Sequence, residues 1–374
     1  MSRADICKSA ANKIRNSHSH LKSVRAVIGL DGFVDSIIDV VDQRDSFEKY
    51  SAITTIDAFG RKIVAAAGKS ANYEFVVKNR KLGGNGPIFA NALAIAGLDI
   101  DYIGSLGTPV PDPVFAEFAS RARLYSLCQA GSTDALEFTD GKLLLGKITH
   151  LSEVNWSNLC KLIGLDKFTA MCESADLIAM NNWTMIPYMG DIWLHVATDV
   201  LPKLSKRKRR IFIDLADPEK RTAADLRRDL GTLTIMQKFA EVTLGVNLKE
   251  AGQVANVLGV RPPTDTDSDI QHAAAGIREK LGLTATIIHP RRGAGGADAN
   301  STAWVDGPMV RQPKLSTGAG DNFNAGYCLG VLVGGTLEES LACGCASSGY
   351  YVREAGSAPA GDLASFLENL PVSE

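Results

Sequence analysis

The chain has 374 residues, a formal net charge of −2 and 45% hydrophobic residues. The near-neutral balance gives no electrostatic reason to expect nucleic acid or an anionic membrane as a partner, and the apolar content suffices for a large buried core. No apolar run reaches the ~18 residues of a membrane span, and the seven cysteines are scattered without zinc-type spacing, which fits a reducing cytosol.

Taken in chain order, an amphipathic surface helix is expected through Ile6, Ala10, Ile14 and Leu21, then a buried first strand over Val24–Leu30. Short alternating pieces follow at Ser36–Val41, Ala52–Ile56 and Lys62–Ala66, and again at Arg123–Cys128 and Leu143–Ile148. They read as half-exposed antiparallel strands of a small separate sheet, inserted within about 36–66 and 123–148 of a single domain spanning 1–374. Between them Pro87–Gly97 reads as a helix and Ile100–Leu106 as a strand.

From about residue 158 the pattern alternates regularly. Helices are expected over Asn158–Ser174, Trp193–Leu204, Ala223–Phe239, Lys249–Leu258 and Asp269–Leu281. Strands are expected at Leu177–Asn181, Ile211–Leu215, Glu241–Gly245 and Ala285–His289. Such alternation implies an α/β fold with parallel strands and crossover helices, and with binding sites at the carboxyl ends of the strands. The run Lys203–Arg210, with six Lys or Arg, reads as a solvated helix end, and Cys343 and Cys345 as buried thiols.

Three glycine clusters invite phosphate or sugar readings. Gly68-Lys69-Ser70 fails as a nucleotide P-loop, because Ile63 stands where the first glycine is required. Gly83-Gly84-Asn85-Gly86 opens a helix, and its free N–H groups suit hydroxyls or phosphates as well as a tight turn. The third, Ser316-Thr317-Gly318-Ala319-Gly320-Asp321, precedes a helix whose apolar face runs through Phe323, Tyr327 and Val331. Gly318 to Gly320 put small residues and N–H groups at a positive helix end, able to bind charge developing on a phosphoryl group. Asp321 beside them is either a favourable dipole charge or a general base.

Here the sequence resembles the ribokinase/PfkB carbohydrate kinases. Gly83–Gly107 and Ser316–Gly326, with its T-G-A-G-D core, match that family's two signatures in order and separation. The resemblance covers most of the chain and implies a mainly parallel sheet flanked by helices, with a small β-sheet lid over the sugar. It implies a kinase that moves the γ-phosphoryl group of ATP to a hydroxyl of a sugar or nucleoside, with Mg²⁺. Under it Asp321 is the catalytic base, and Gly318, Ala319 and Gly320 the anion hole. Asn247 and Glu250 match the family's N-x-x-E motif, with Glu250 serving Mg²⁺ through water; alone, they read as an N-cap and its capping-box acid. Asp35 and Asp31 are the expected holders of sugar hydroxyls, and Gly83, Gly84 and Asn85 the substrate-side loop. Lid edges in such folds pair between subunits, which leaves open a homodimer formed through the lid.

The chain departs from the family at four places. Ile88 stands where an Asn is common, and Ile288 and Pro290 replace the Thr and Gly of a T-x-G-x-x-G stretch aligned on Gly293. Arg291 and Arg292 fill the intervening positions, where phosphate contact and plain surface charge are equal readings; Arg292 and Gly293 are the nucleotide-side expectation. Leu315 replaces a carboxylate that helps ligate K⁺ in cation-activated members. Two other readings stay open at this stage: an ADP-dependent sugar kinase, and a sugar- or nucleoside-sensing protein on a kinase scaffold.

Overall fold

In the computed structural model, which describes residues 2–373, the chain starts with helix α1 (Arg3–Leu21). Ser2 and Asp5 close a capping box there, and Cys7, Ala10, Ala11, Ile14 and Leu21 form its buried face. Strand β1 (Arg25–Leu30) follows, buried from Ala26 onward. The chain then leaves the core for β2 (Phe33–Arg44), β3 (Tyr50–Ala52), α2 (Ile56–Ala65) and β4 (Phe75–Gly83). It returns in α3 (Asn85–Ala96), β5 (Asp99–Ser105), α4 (Ala116–Ala119) and β6 (Ala122–Cys128), and goes out once more in β7 (Gly131–Phe138) and β8 (Gly141–Lys147).

The remainder alternates. It runs through α5 (Trp156–Leu162), α6 (Leu165–Ser174), β9 (Leu177–Met180), α7 (Met189–His195), β10 (Arg210–Asp214), α8 (Ala223–Met236) and β11 (Glu241–Val246). Then come α9 (Leu248–Leu258), α10 (Asp267–Leu281), β12 (Ala285–Ile288), β13 (Gly293–Ala297) and β14 (Thr302–Asp306). Three helices end the chain: α11 (Ala319–Leu332), α12 (Leu337–Glu354) and α13 (Ala360–Glu368).

Among the described residues the strands form two sheets. The larger runs β14-β13-β12-β11-β10-β9-β1-β5-β6, parallel from β6 to β12 and antiparallel only through β13 and β14. Alternation along its strands feeds two cores: Ile178, Met180, Ile211 and Ile213 pack on one face, and Leu177, Ala179 and Phe212 on the other with Phe89, Phe323 and Leu341. Each such Ile, Leu or Phe, fully buried, contributes about 1.5–3 kcal/mol. Because β1 lies between β5 and β9, the winding direction reverses there, and a crevice opens at the carboxyl end of β1. This is the mainly parallel, helix-flanked sheet that the resemblance implies, and the site belongs in that crevice.

The smaller sheet runs β3-β2-β7-β8 with β4 also paired to β2, and it has a core of its own in Ile38, Val40, Ile53, Phe59 and Leu136. It covers 33–83 and 131–147 rather than 36–66 and 123–148. Arg123–Cys128 belongs to the large sheet instead, paired parallel to β5, with Arg123 bonded to Asp99 and Asp101. Lys62–Ala66 is the end of α2 with its C-cap residue Ala66, not a strand; Thr55 caps the start of that helix and Phe59 is its buried anchor. The helix expected over Asn158–Ser174 breaks at Gly164, whose φ of 89° supplies the turn. The basic run is not merely solvated. Arg209 is 2% exposed and donates to the carbonyl of Cys172, while Arg207 donates to those of Glu173 and Ala175, so guanidinium groups satisfy the open carbonyls at the end of α6. Cys343 and Cys345 are buried, as expected.

Candidate active site

The N-terminus of α11 is the centre of the site. Gly318 is its N-cap, with φ +94° and no side chain capping the helix. A Cβ at Gly318 would stand 2.8 Å from the Tyr351 hydroxyl, and one at Gly320 3.3 Å from the His289 ring. The backbone therefore comes close to its neighbours here, and its first-turn N–H groups face the cleft at the positive end of the dipole. The turn is held from below: Asn322 Nδ2 donates to the Gly318 carbonyl at 3.0 Å, and Ser357 Oγ to Asn322 Oδ1 at 2.8 Å.

Asp321 sits in that first turn, 6% exposed, and accepts a 2.9 Å hydrogen bond on Oδ1 from Asn85 Nδ2. Burial pushes its carboxyl up to about 8; the Asn85 bond opposes the shift, and the charges of Asp31 and Glu250 add to it. Such a group takes up a proton readily near neutrality, which is what a general base must do.

On one side of this turn lies a cavity of about 490 Å³, lined by Asp35, Asn85, Thr133, Asn182, Gly318 and Asp321, with Leu144, Gly146 and Ile148 of the lid closing it. Its size is that of a small-molecule site. Asp35, near the start of β2, is 9% exposed and hydrogen-bonded to Thr133 on β7; burial raises its carboxyl above the ordinary range. Its carboxylate fills the space beside Gly83, where a Cβ would lie 2.4 Å from Asp35 Cγ. Gly84, at φ +94°, turns the chain into α3.

Asp31 has a different place. It is fully buried and outside the cavity lining. Its carboxylate accepts from the N–H groups of Asn85 at 2.9 Å and Gly86 at 2.8 Å and from Asn182 Nδ2 at 2.7 Å. It caps α3 and holds the glycine loop, with its carboxyl pushed up to about 6 by burial.

On the other side of α11 lies a second cavity of about 560 Å³. Ala319 and Gly320 line it, together with Asn247, His289, Arg291, Gly293 and Pro308. His289 packs on Phe323 at 4.7 Å between ring centroids, and burial pulls its imidazole down to about 4, so it is neutral near pH 7. Arg292 is turned away from this cavity: it bonds Asp265 at 2.9 Å and Asp267, over the Trp304 ring. Gly293 lies too close to β14 for a side chain, since a Cβ would meet the Val305 carbonyl at 2.5 Å.

Asn247 and Glu250 form the capping box of α9, with Glu250 N–H donating to Asn247 Oδ1 at 3.0 Å and Asn247 N–H to Glu250 Oε2 at 2.9 Å. Oε1 of Glu250 accepts the Asp217 N–H at 2.7 Å. Asp214, at the end of β10, accepts from Asn324 Nδ2 at 2.6 Å. Burial, then the charges of Glu250 and Asp321, holds the Asp214 carboxyl well above its ordinary range. Among the described residues no three His, Cys, Asp or Glu converge on one direct metal position. This oxygen-rich, mutually repelling set fits a hydrated Mg²⁺ held through water, which would relieve the repulsion.

Sequence reasoning singled out Asp321, Gly318–Gly320, Asp35, Gly83–Asn85 and Asn247/Glu250; of these, all but Gly83 and Glu250 line one of the two cavities. It passed over Asn182, Asp214 and Thr133. Asn182 stands just past the predicted strand Leu177–Asn181, and Asp214 is one residue before the end of the predicted strand Ile211–Leu215, which was the available signal.

The residues 5–370 match the family model described as prokaryotic ketohexokinase. A ketohexokinase of Haloferax volcanii is 29% identical over 340 residues, covering 90% of this chain and 89% of that one. Among solved structures, a ribokinase from Thermotoga maritima superposes with a TM-score of 0.61 at 17% identity, covering 92% of this chain and 99% of that one. An Arabidopsis thaliana ribokinase complexed with ribose and ATP gives 0.64 at 16%, covering 93% and 99%.

Proposed function

The chain belongs to the prokaryotic ketohexokinase family, a group of carbohydrate kinases of the PfkB/ribokinase type, and on that premise we propose that it transfers the γ-phosphoryl group of ATP to a hydroxyl of a ketohexose. It is a phosphotransferase acting on a sugar hydroxyl; the ketohexose, the donor and the residue roles are our reading. One observation carries it. The N-terminus of α11 is a wall shared by two cavities, with Asp321 on one side and Ala319 and Gly320 on the other.

In this reading the cavity under the lid holds the sugar. Asp35 and Asn85 orient its hydroxyls, and Asp321 takes the proton of the attacking one. The cavity lined by His289, Arg291 and Gly293 holds the nucleotide, whose terminal phosphate faces the N–H groups of Gly318 to Gly320. Asn247, Glu250 and Asp214 would hold Mg²⁺ through water, and the ion would supply neutralisation of phosphate charge. Every other contribution comes from positioning by the chain's own residues, which is what phosphoryl transfer chiefly needs.

The test is direct. Purified protein is incubated with Mg-ATP and a panel of ketohexoses, aldoses and nucleosides, and ADP release and sugar phosphate are followed. We expect a ketohexose to give the highest kcat/KM. A nucleoside or an aldopentose turning over at least about tenfold better, or no turnover of any sugar, contradicts the assignment.

A further inference from the structure

The chain just past β9 forms one side of the sugar-side cavity, where Asn182, Thr184 and Met185 line it. Each residue of this loop is tied down. Asn182 turns the chain at φ +63°, a left-handed conformation that asparagine tolerates better than most side chains. Its Nδ2 donates to Asp31, and its Oδ1 accepts the Met185 N–H at 3.2 Å. Trp183 is fully buried, and its Nε1 donates to Asp229 of α8 at 2.8 Å. Arg221 stacks on that ring, with Cζ 3.9 Å from its centroid, and donates to the Trp183 carbonyl at 3.0 Å. The Thr184 N–H donates to the Leu215 carbonyl at 3.0 Å, which fastens the loop just past the end of β10. A loop held in this way presents fixed groups to whatever fills the cavity.

Polar side chains elsewhere in this cavity are already paired: Asp35 with Thr133, Asn85 with Asp321, and Asn182 with Asp31. Thr184 differs. It is 8% exposed, and its Oγ1 is buried with no hydrogen-bond partner among the described residues. Folded proteins seldom keep a buried hydroxyl unpaired, because it has lost water and gained nothing in exchange. The hydroxyl and methyl of a threonine exchange places by one step about χ1, so the oxygen can face the cavity without any movement of the tied backbone. There it can both donate and accept, as the hydroxyl of a sugar does.

We propose that Thr184 is a specificity-determining residue for the sugar, its Oγ1 turning into the cavity to hydrogen-bond one hydroxyl of the ketohexose. The proposal rests on the kinase reading above. Asp321 engages the attacking hydroxyl in that reading, so the partner of Thr184 is one of the hydroxyls that do not react. The sugar is then held from two sides, by Asp35 from the lid sheet and by Thr184 from the loop between β9 and α7. The empty protein carries the cost of the unpaired hydroxyl, and the correct sugar relieves it. A sugar lacking that hydroxyl gains nothing from Thr184, which is the basis of the discrimination.

Wild type, Thr184→Val and Thr184→Ser are assayed with Mg-ATP against the preferred ketohexose and those of its monodeoxy derivatives that keep the phosphorylated hydroxyl. Their Tm values are measured without ligand. Thr184→Val replaces the hydroxyl with a methyl and should lose about tenfold in kcat/KM for the sugar, chiefly through KM, with the ATP KM within about twofold of wild type. Its Tm should be no lower than that of wild type, because the hydroxyl removed has no partner in the protein. Thr184→Ser, which keeps the hydroxyl, should recover at least about threefold of the lost kcat/KM. One monodeoxy sugar should be about tenfold poorer than its parent on wild type and within about threefold of its parent on Thr184→Val. A Thr184→Val sugar KM equal to that of an active wild type overturns the proposal and leaves the kinase reading intact. So do monodeoxy sugars that rank alike on both proteins, or a lowered Tm with equal losses for sugar and ATP, which would make Thr184 a packing residue. A wild type that turns over no sugar overturns both.

Discussion

The side-chain amide of Asn85, in the first turn of α3, donates a 2.9 Å hydrogen bond to Oδ1 of Asp321, in the first turn of α11. Two helix starts, 236 residues apart in sequence, are thereby fixed to each other across the site. The bond favours the ionised carboxylate and so holds Asp321 lower than burial alone would. Asn85→Ala should therefore raise the pH at which kcat reaches half its maximum, by about one unit, the equivalent of a hydrogen bond to a charged group. The deficit should shrink as pH rises. A loss of kcat that is the same from pH 6 to 9 would mean that Asn85 acts on something other than Asp321.

Asp321 also affects stability. Its carboxyl lies at about 8 in the folded protein against an ordinary value of 3.8. The folded state then binds more protons than the unfolded one between those values. Its contribution to stability is consequently best at low pH and declines as pH rises from about 4 toward 8. Asp321→Asn removes that decline. By urea unfolding the variant should exceed wild type at pH 8 by about 1 kcal/mol or more, and by less at pH 5. A wild type more stable than the variant at pH 8 would contradict the burial argument.

Two aspartates near β1 should separate cleanly. Asp35 lines the sugar-side cavity, whereas Asp31 caps α3 and has no face in it. Asp35→Ala should raise the ketohexose KM about ten- to a hundredfold and leave the ATP KM nearly unchanged. Asp31→Ala leaves the N–H groups of Asn85 and Gly86 without their acceptor and should lower stability by about 2 kcal/mol or more. Equal effects of Asp35→Ala on both KM values would place Asp35 outside sugar binding.

Much of this site was legible because it is local. The T-G-A-G-D turn and the N-x-x-E capping box are contiguous, and helix starts show themselves through glycines and caps. What joins them is not local: Asp31 to Asn182, Asp214 to Asn324 and Lys142 to Thr317 are tertiary pairs with no mark in the sequence. The lid was the hardest part. Strand β4 is mostly exposed, so its Lys and Asn conceal the alternation, and β13 is Gly-Ala-Gly-Gly-Ala, which reads as a loop. Arg123–Cys128 alternates only because it is the edge of the large sheet, half open to solvent like a lid strand.

Monovalent cations should matter little. Leu315 offers no oxygen where a carboxylate would ligate K⁺, and the Gly318 turn at the start of α11 is already tied by Asn322 and Ser357. Replacing K⁺ by a bulky organic cation at constant ionic strength should change kcat less than about twofold. Tenfold stimulation by K⁺ would show that backbone oxygens of this turn form a cation site despite Leu315.

The most direct test of the central claim is the single-turnover rate of phosphoryl transfer from Mg-ATP to the preferred ketohexose, compared between wild type and Asp321→Asn with both substrates saturating. Asparagine keeps the shape of the side chain and cannot take a proton. The account predicts a rate at least about 10²-fold lower, with sugar and nucleotide binding within about threefold of wild type. An Asp321→Asn rate within about threefold of wild type would remove Asp321 from the proton transfer and contradict the assignment of the α11 N-terminus as the catalytic centre.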